Sequence, residues 1–333
     1  MFCVFMYFCF KFYRMKKILI IRFSSIGDIV LTTPVIRCLK KQLNAEVHYL
    51  TKSSFKGMLN NNPYVDKVHT IDKEISKELI AELKAENFNF VGDLHHNLRT
   101  LRLKNALNTP SKSFPKYNIQ KWLLVNLKID RMPKIHIVDR YMETVSTLGV
   151  VNDNEGLDYF IPENSRVNLS RLPEGQAKGY VGLVIGGQHA TKMMPLTKLI
   201  EVCRNLSEPI VLLGGPEDSD RAEEIVQSVG TKVFNACGKF KLDESASLVQ
   251  QANWIITHDT GLMHIAAAFK KRIVSVWGNT VPELGMYPYL ADPKSKIVEI
   301  KGLSCRPCSK IGYSKCPKGH FKCMEHEVSD LMI

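Results

Sequence analysis

Short runs of consecutive apolar residues alternate along the chain with longer stretches in which apolar positions recur every three or four residues. The runs are KILIIRF, EVHYLT, KVHTI and FNFVGDL in the first half, and GYVGLVIGG, PIVLLGG, TKVFNAC, NWIITHD and RIVSVWG in the second. Bounded by turn residues, they predict strands buried on both faces, as in a parallel sheet. Between most of them lie helical patterns such as TPVIRCLKKQL, PLTKLIEVCRNL and DSDRAEEIVQSV. This alternation predicts an α/β protein built from two Rossmann-like doubly wound parallel-sheet domains. The polar segment 163–178, ENSRVNLSRLPEGQAK, carries Pro and Gly and marks the expected boundary, between an N-terminal domain over 15–170 and a C-terminal domain over 171–333. Tandem domains of this kind face each other across a cleft between the carboxyl ends of their strands, where ligands bind.

A length of 333 residues suits two domains rather than one core. With 45% hydrophobic and 23% charged residues, disorder is not expected. The net charge of +12 implies anionic partners. The excess is local, with Arg99, Arg102, Lys104, Lys112, Lys116, Lys121, Lys128, Arg131 and Lys134 between Leu94 and Val138 against Asp130 alone. A solvated face and an anion-binding face both account for it. Residues 1–14, MFCVFMYFCFKFYR, are too short to span a bilayer and lack the basic start of a signal peptide. A frayed tail or a start-site artefact ahead of Met15 is expected there, with a weak membrane anchor as the alternative. The body is expected to be cytoplasmic.

The stretch IRFSSIGDIV places Ser25, Gly27 and Asp28 where a strand turns into a helix. Gly27 is expected to serve the tight turn. Two explanations of Asp28 are open: a first-turn acid favoured by the helix dipole, or a general base facing the cleft. No G-x-G-x-x-G follows a strand, which weakens a dehydrogenase reading. In NWIITHDTGLMHIAAAF the strand ends near His258, and Asp259, Thr260 and Gly261 open a helix whose free amides suit a phosphate, with His264 one turn in. Capping by Asp259 and a merely satisfied His264 are the plain alternatives. Lys192, in the loop after Gly186 and Gly187, is placed to neutralise a diphosphate, and Glu217 ends a strand where acids pair with ribose hydroxyls. Asp218-Ser219-Asp220 spells D-x-D, but it opens a helix, where acids cap; no metal is expected to be held there.

IRFSSIGDIVLTTP, ATKMMP, LLGGPED and HDTGLMH, in this order, resemble the heptosyltransferase family, glycosyltransferase family 9, over essentially Met15 to the end. The resemblance implies a GT-B fold and metal-independent, inverting transfer of heptose from ADP-heptose to the inner core of lipopolysaccharide, with no cofactor. It also implies a donor bound by the C-terminal domain and a lipid-linked acceptor bound by the N-terminal domain. Asp28 matches the proposed base, Lys192 the phosphate lysine, and Asp259, Thr260, Gly261 and His264 the motif around the diphosphate; Glu217 and the backbone near Phe240 match the ribose and adenine contacts. Met194 departs from the family, which usually has an aromatic before Pro195. Ser25, Gly27 and Arg99 are expected on the acceptor side, and the basic stretch suits an acidic acceptor at the inner face of an anionic membrane. A monomer is expected, without nucleic acid, since no nucleic-acid module is present. The alternative is a transferase using another nucleotide sugar in cell-surface glycan synthesis.

Nine cysteines remain. Cys305, Cys308, Cys316 and Cys323 cluster near His320 and His326, but C-x2-C occurs once, so zinc, free thiols and disulfides all stay open.

Overall fold

In the run KILII every residue from Ile18 to Ile21 is fully buried, so the strand it forms must lie inside a sheet covered on both faces. This is β1 (Lys17–Ile21), followed by β2 (Glu46–Lys52), β3 (Lys67–Ile71), β4 (Phe90–Asp93) and β5 (Ser111–Ser113). The computed structural model describes residues 16–333. The expected extension over 1–14, with Cys3 and Cys9, lies outside the described residues. The five strands make one parallel sheet in the order β3-β2-β1-β4-β5.

The second half adds β6 (Val181–Val184), β7 (Ile210–Leu213), β8 (Val233–Asn235), β9 (Trp254–His258), β10 (Ile273–Trp277) and β11 (Lys296–Glu299). They form a second parallel sheet, ordered β11-β10-β9-β6-β7-β8. All nine runs read as strands are strands. The two additions, β5 and β11, are edge strands of sequence SKS and KIVE, partly exposed and too polar to stand out. The helix Thr33–Leu43 matches TPVIRCLKKQL to the residue.

In each sheet the strand order reverses once, between β1 and β4 and between β6 and β9. Ligands of open α/β sheets bind at such switch points, outside the carboxyl ends of the strands. Three large apolar clusters stack around the two sheets. One lies on one face of the first sheet, with Leu19, Phe23, Leu83 and Leu103, and another on one face of the second, with Leu183, Leu199 and Ile225. The third is shared, running from Val30, Leu31 and Val138 to Val184, Met263 and Tyr289. The first-half helix Ile137–Val145 is also docked on a second-half loop: Ile137 N donates to Gly285 O at 2.8 Å and Arg140 Nη2 to Leu284 O at 3.0 Å. Gly285 has φ +84°, and a side chain there would collide with Arg140.

Candidate active site

Asp28 lies in the five-residue helix Ile26–Val30, two residues past its start, with Ser25 as N-cap. Its Oδ2 accepts from the Ser25 amide and the Ser25 hydroxyl, both at 3.0 Å, and its Oδ1 pairs with Arg22 Nη2 at 2.6 Å. Burial works against the charge. The guanidinium of Arg22, then the Ser25 amide, outweigh it and hold the carboxyl below its ordinary value. Arg22 is itself fixed, donating from Nε to Ser24 O at 2.8 Å and from Nη1 to Leu94 O at 2.6 Å. A carboxylate offers about four lone-pair sites. Three are used here, which leaves Asp28 an ionised acceptor with room for one more donor.

Gly27 corrects an expectation. It sits inside the helix without the positive φ of a turn glycine. What requires glycine is close approach: a Cβ at this position would stand 2.5 Å from His264 Cδ2 and 3.4 Å from the Cα of Gly261. Two strand-end helices, one from each sheet, therefore meet glycine to glycine, with the His264 ring wedged between them. His264 is 2% exposed. Burial pushes its imidazole down to about 4, against the pull of Asp259 and Asp28, so at neutral pH it is uncharged and offers a hydrogen bond rather than a cation.

On the second wall, Lys192 Nζ pairs with Asp259 Oδ2 at 2.6 Å, and Thr280 Oγ1 donates to the same oxygen at 3.2 Å. Asp259 is thus the residue that aims Lys192. The helix Gly261–Ala268 starts from Thr260, whose hydroxyl lies 3.4 Å from that of Thr257 and does not cap the helix. Its first amides have no side-chain acceptor, as a phosphate site requires. Asn279 is 1% exposed, and among the described residues neither atom of its side-chain amide has a partner.

Glu217 is exposed at the end of β7, its carboxylate folded over Gly215. Phe240 lies under the Arg171 guanidinium, 5.0 Å from its ring centre. The D-x-D acids diverge: Asp218 is buried and accepts from Gly215 N at 2.9 Å, whereas Asp220 is exposed. Met194 is fully buried, its amide donating to His258 Nε2 at 2.9 Å.

The basic stretch divides. Lys104 is spent on Asp93 at 3.0 Å, and Arg99 lies over the Phe23 ring at 5.1 Å while donating to Lys73 O at 2.6 Å. Beside Asp28, cations gather. Burial, then Arg140 and Lys310, lower Lys121 to about 8; burial, then Arg22, lower Lys116. Arg140 is fully buried, and its Nε and Nη1 have no partner among the described residues. His95 packs tilted against Phe23, ring centres 4.6 Å apart, and is pushed down to about 4 by burial, then Arg22. Arg22, Arg140, Thr280 and Asn279 were not singled out from the sequence. Arg22 was readable, standing at the end of the strand that leads to Asp28. Thr280 and Asn279 follow the RIVSVWG strand, where the strand-end rule applies as it does at Asp259. Arg140 had no local signal.

Comparison with known proteins is consistent with this geometry. Residues 77–316 match the family model "Glycosyltransferase family 9 (heptosyltransferase)". Lipopolysaccharide heptosyltransferase 1 of Campylobacter coli is 26% identical over 290 residues, covering 79% of this chain and 84% of that protein. Among solved structures, the glycosyl transferase family 9 protein of Veillonella parvula superposes with a TM-score of 0.69 at 24% identity, over 85% of each chain. The E. coli ADP-heptose lipopolysaccharide heptosyltransferase II gives 0.67 at 20% identity, over 87% of this chain and 95% of the other. Two parallel sheets opposed at their switch points are the GT-B fold, and the chain belongs to glycosyltransferase family 9, the heptosyltransferases.

Proposed function

We propose that this chain transfers a heptose from ADP-heptose to the lipid-linked inner core of lipopolysaccharide, with inversion at the anomeric carbon. The observation that carries the reading is the meeting of the two switch points: an ionised, Arg22-held carboxylate on one wall, and Lys192 with an uncapped helix N-terminus on the other. Inverting transfer needs both. Asp28 receives the proton of the acceptor hydroxyl as that oxygen attacks the anomeric carbon, and the bond to the donor diphosphate breaks on the opposite face. The departing charge falls on Lys192, the amides of Gly261–Met263 and Thr260, so the residues themselves meet the need that a divalent ion would otherwise fill. Glu217 is the proposed ribose partner and the backbone near Phe240 the adenine contact. In this reading residues 15–170 form the acceptor domain and 171–333 the donor domain.

The acceptor is acidic on this account. Lys121 and Lys116 present positive charge near Asp28, with Arg140 and Lys310 adding to it around Lys121, and Ser25, Gly27 and Arg99 belong to the same wall. Leu98, Ile119, Trp122 and Leu127, each more than half exposed, lie within the same basic stretch. That pairing of apolar and cationic side chains fits a peripheral contact with an anionic bilayer. Among the described residues no helix is long and apolar enough to cross a membrane.

The test is ADP release and product formation with ADP-heptose and a lipid A-linked core acceptor, against UDP- and GDP-sugars as controls. Turnover with ADP-heptose, lost in Asp28→Asn, is expected; turnover only with another nucleotide sugar would overturn the donor assignment.

A further inference from the structure

Away from the strand carboxyl ends, the first sheet buries two histidines side by side. His48 on β2 and His69 on β3 are 1% and 3% exposed, and His48 Nδ1 lies 3.0 Å from His69 Nε2. Each ring is pinned at its other nitrogen. His48 Nε2 meets Glu46 Oε1 at 2.8 Å, and His69 Nδ1 meets Glu82 Oε1 at 2.8 Å. A carboxylate requires N–H on the nitrogen facing it. Two neutral rings spend both protons on these outer contacts, so the inner nitrogens turn lone pairs toward each other. Such an arrangement is stable only with a cation between them.

Glu86 completes the cluster, an oxygen of its carboxylate lying within 4.8 Å of a ring nitrogen of each histidine. It is held by Lys17 at 2.7 Å and Lys67 at 2.6 Å. Three carboxylates against two lysines leave the cluster with an excess of negative charge. From these contacts we infer that His48, His69 and Glu86 form a binding site for a divalent ion of the zinc class, with Glu46 and Glu82 orienting the two imidazoles. Two nitrogens and one carboxylate oxygen are a ligand set zinc accepts, and the carboxylate behind each histidine is the usual support of a zinc-bound imidazole. With Zn–N at about 2.0–2.1 Å, tetrahedral geometry sets the two nitrogens about 3.3 Å apart, so the pair opens by only a few tenths of an ångström. Glu86 gives up a lysine contact to bind. Glu82 and Lys67, both about half exposed, mark the way in.

The site lies toward the amino-terminal side of the strands, opposite Asp28, and its role is to tie β2, β3 and the end of the helix Lys77–Ala85 together. The experiment follows the imidazole nitrogens of the full chain by NMR, with 15N-histidine, as Zn2+ is added. Thiols elsewhere compete for zinc without disturbing this readout. The expected result is movement of one nitrogen of His48 and one of His69 to metal-bound positions while their partners stay protonated. In parallel, wild type should bind about one more zinc than His48→Gln/His69→Gln. Glu82→Gln should weaken zinc about 10–100-fold while leaving glycosyl transfer unchanged. If the inner nitrogens keep a shared proton in excess zinc, the cation between them is a proton and the inference is overturned. Equal zinc in wild type and the double variant overturns it as well, and neither result bears on the assignment of the donor and acceptor walls.

Discussion

Asp28 has three of its four acceptor positions filled before a substrate arrives, and this constrains what a change there can do. Asp28→Asn keeps most of the shape around Ser25 but loses the anion proposed to receive the proton. The kcat should fall by about 10²–10⁴-fold with ADP affinity nearly unchanged; steady-state kinetics giving near-normal kcat would leave only the helix-start role. Arg22 sets where that carboxylate titrates. Its removal in Arg22→Gln leaves burial opposed only by the Ser25 amide and hydroxyl, so the acid limb of the kcat/KM profile should move upward from below the ordinary carboxylate range. Gly27 makes a separate point. Gly27→Ala drives a methyl into His264 and should destabilise by about 1–3 kcal/mol, with part of that loss recovered in Gly27→Ala/His264→Ala; denaturant midpoints of the three proteins decide it.

At the scale of elements, the helix Gly261–Ala268 owes its place to the tertiary contact and its chemistry to a missing cap. Its N-terminal amides point to where charge is expected, and Lys192, from the loop after β6, is held there by Asp259. Lys192→Ala removes the proposed charged partner of the diphosphate, worth about 1.5–3 kcal/mol, and calorimetry should show ADP binding weakened by one to two orders of magnitude. Unchanged affinity would place the donor elsewhere. The opposite wall has its own signature. Lys121, lowered to about 8 by burial and by Arg140, loses its charge above that pH, so the KM for an acidic acceptor should rise there while the KM for the donor does not.

For the whole molecule, acid stability is the property that the buried histidines decide. Burial lowers His95, His264 and His326 to about 4, and His136 and His258 to about 3. Unfolded, each takes up a proton near 6.5, so between about 6.5 and these values the unfolded chain binds more protons. Stability should therefore fall as pH drops from about 6.5 toward 4. Asp28, Asp93 and Asp153, all lowered, extend the loss to still lower pH. Thermal melts at stepped pH give the check; a Tm flat from pH 7 to 5 would mean that the histidines are solvated. The shared apolar cluster predicts in addition a single calorimetric transition for both sheets.

Apolar runs determined nine of the eleven strands, including the edge strands β3 and β8, and the helices between them, because a strand covered on both faces must be apolar at successive positions, and that requirement is local. The strand-end positions of Asp28, Lys192, Asp259 and Thr260 were legible for the same reason. The edge strands β5 and β11 were not, since SKS has no apolar residue and KIVE only two, and a partly exposed strand needs no more. What only the tertiary structure decided is which partners these residues meet: Arg22 on Asp28, Asp259 and Thr280 around Lys192, His264 against Gly27, Arg140 against the loop at Gly285. Each pairing joins residues brought together by the packing of separate elements, several of them from opposite sheets. The charge state of a buried group depends on that company, so periodicity along the chain carries no trace of it.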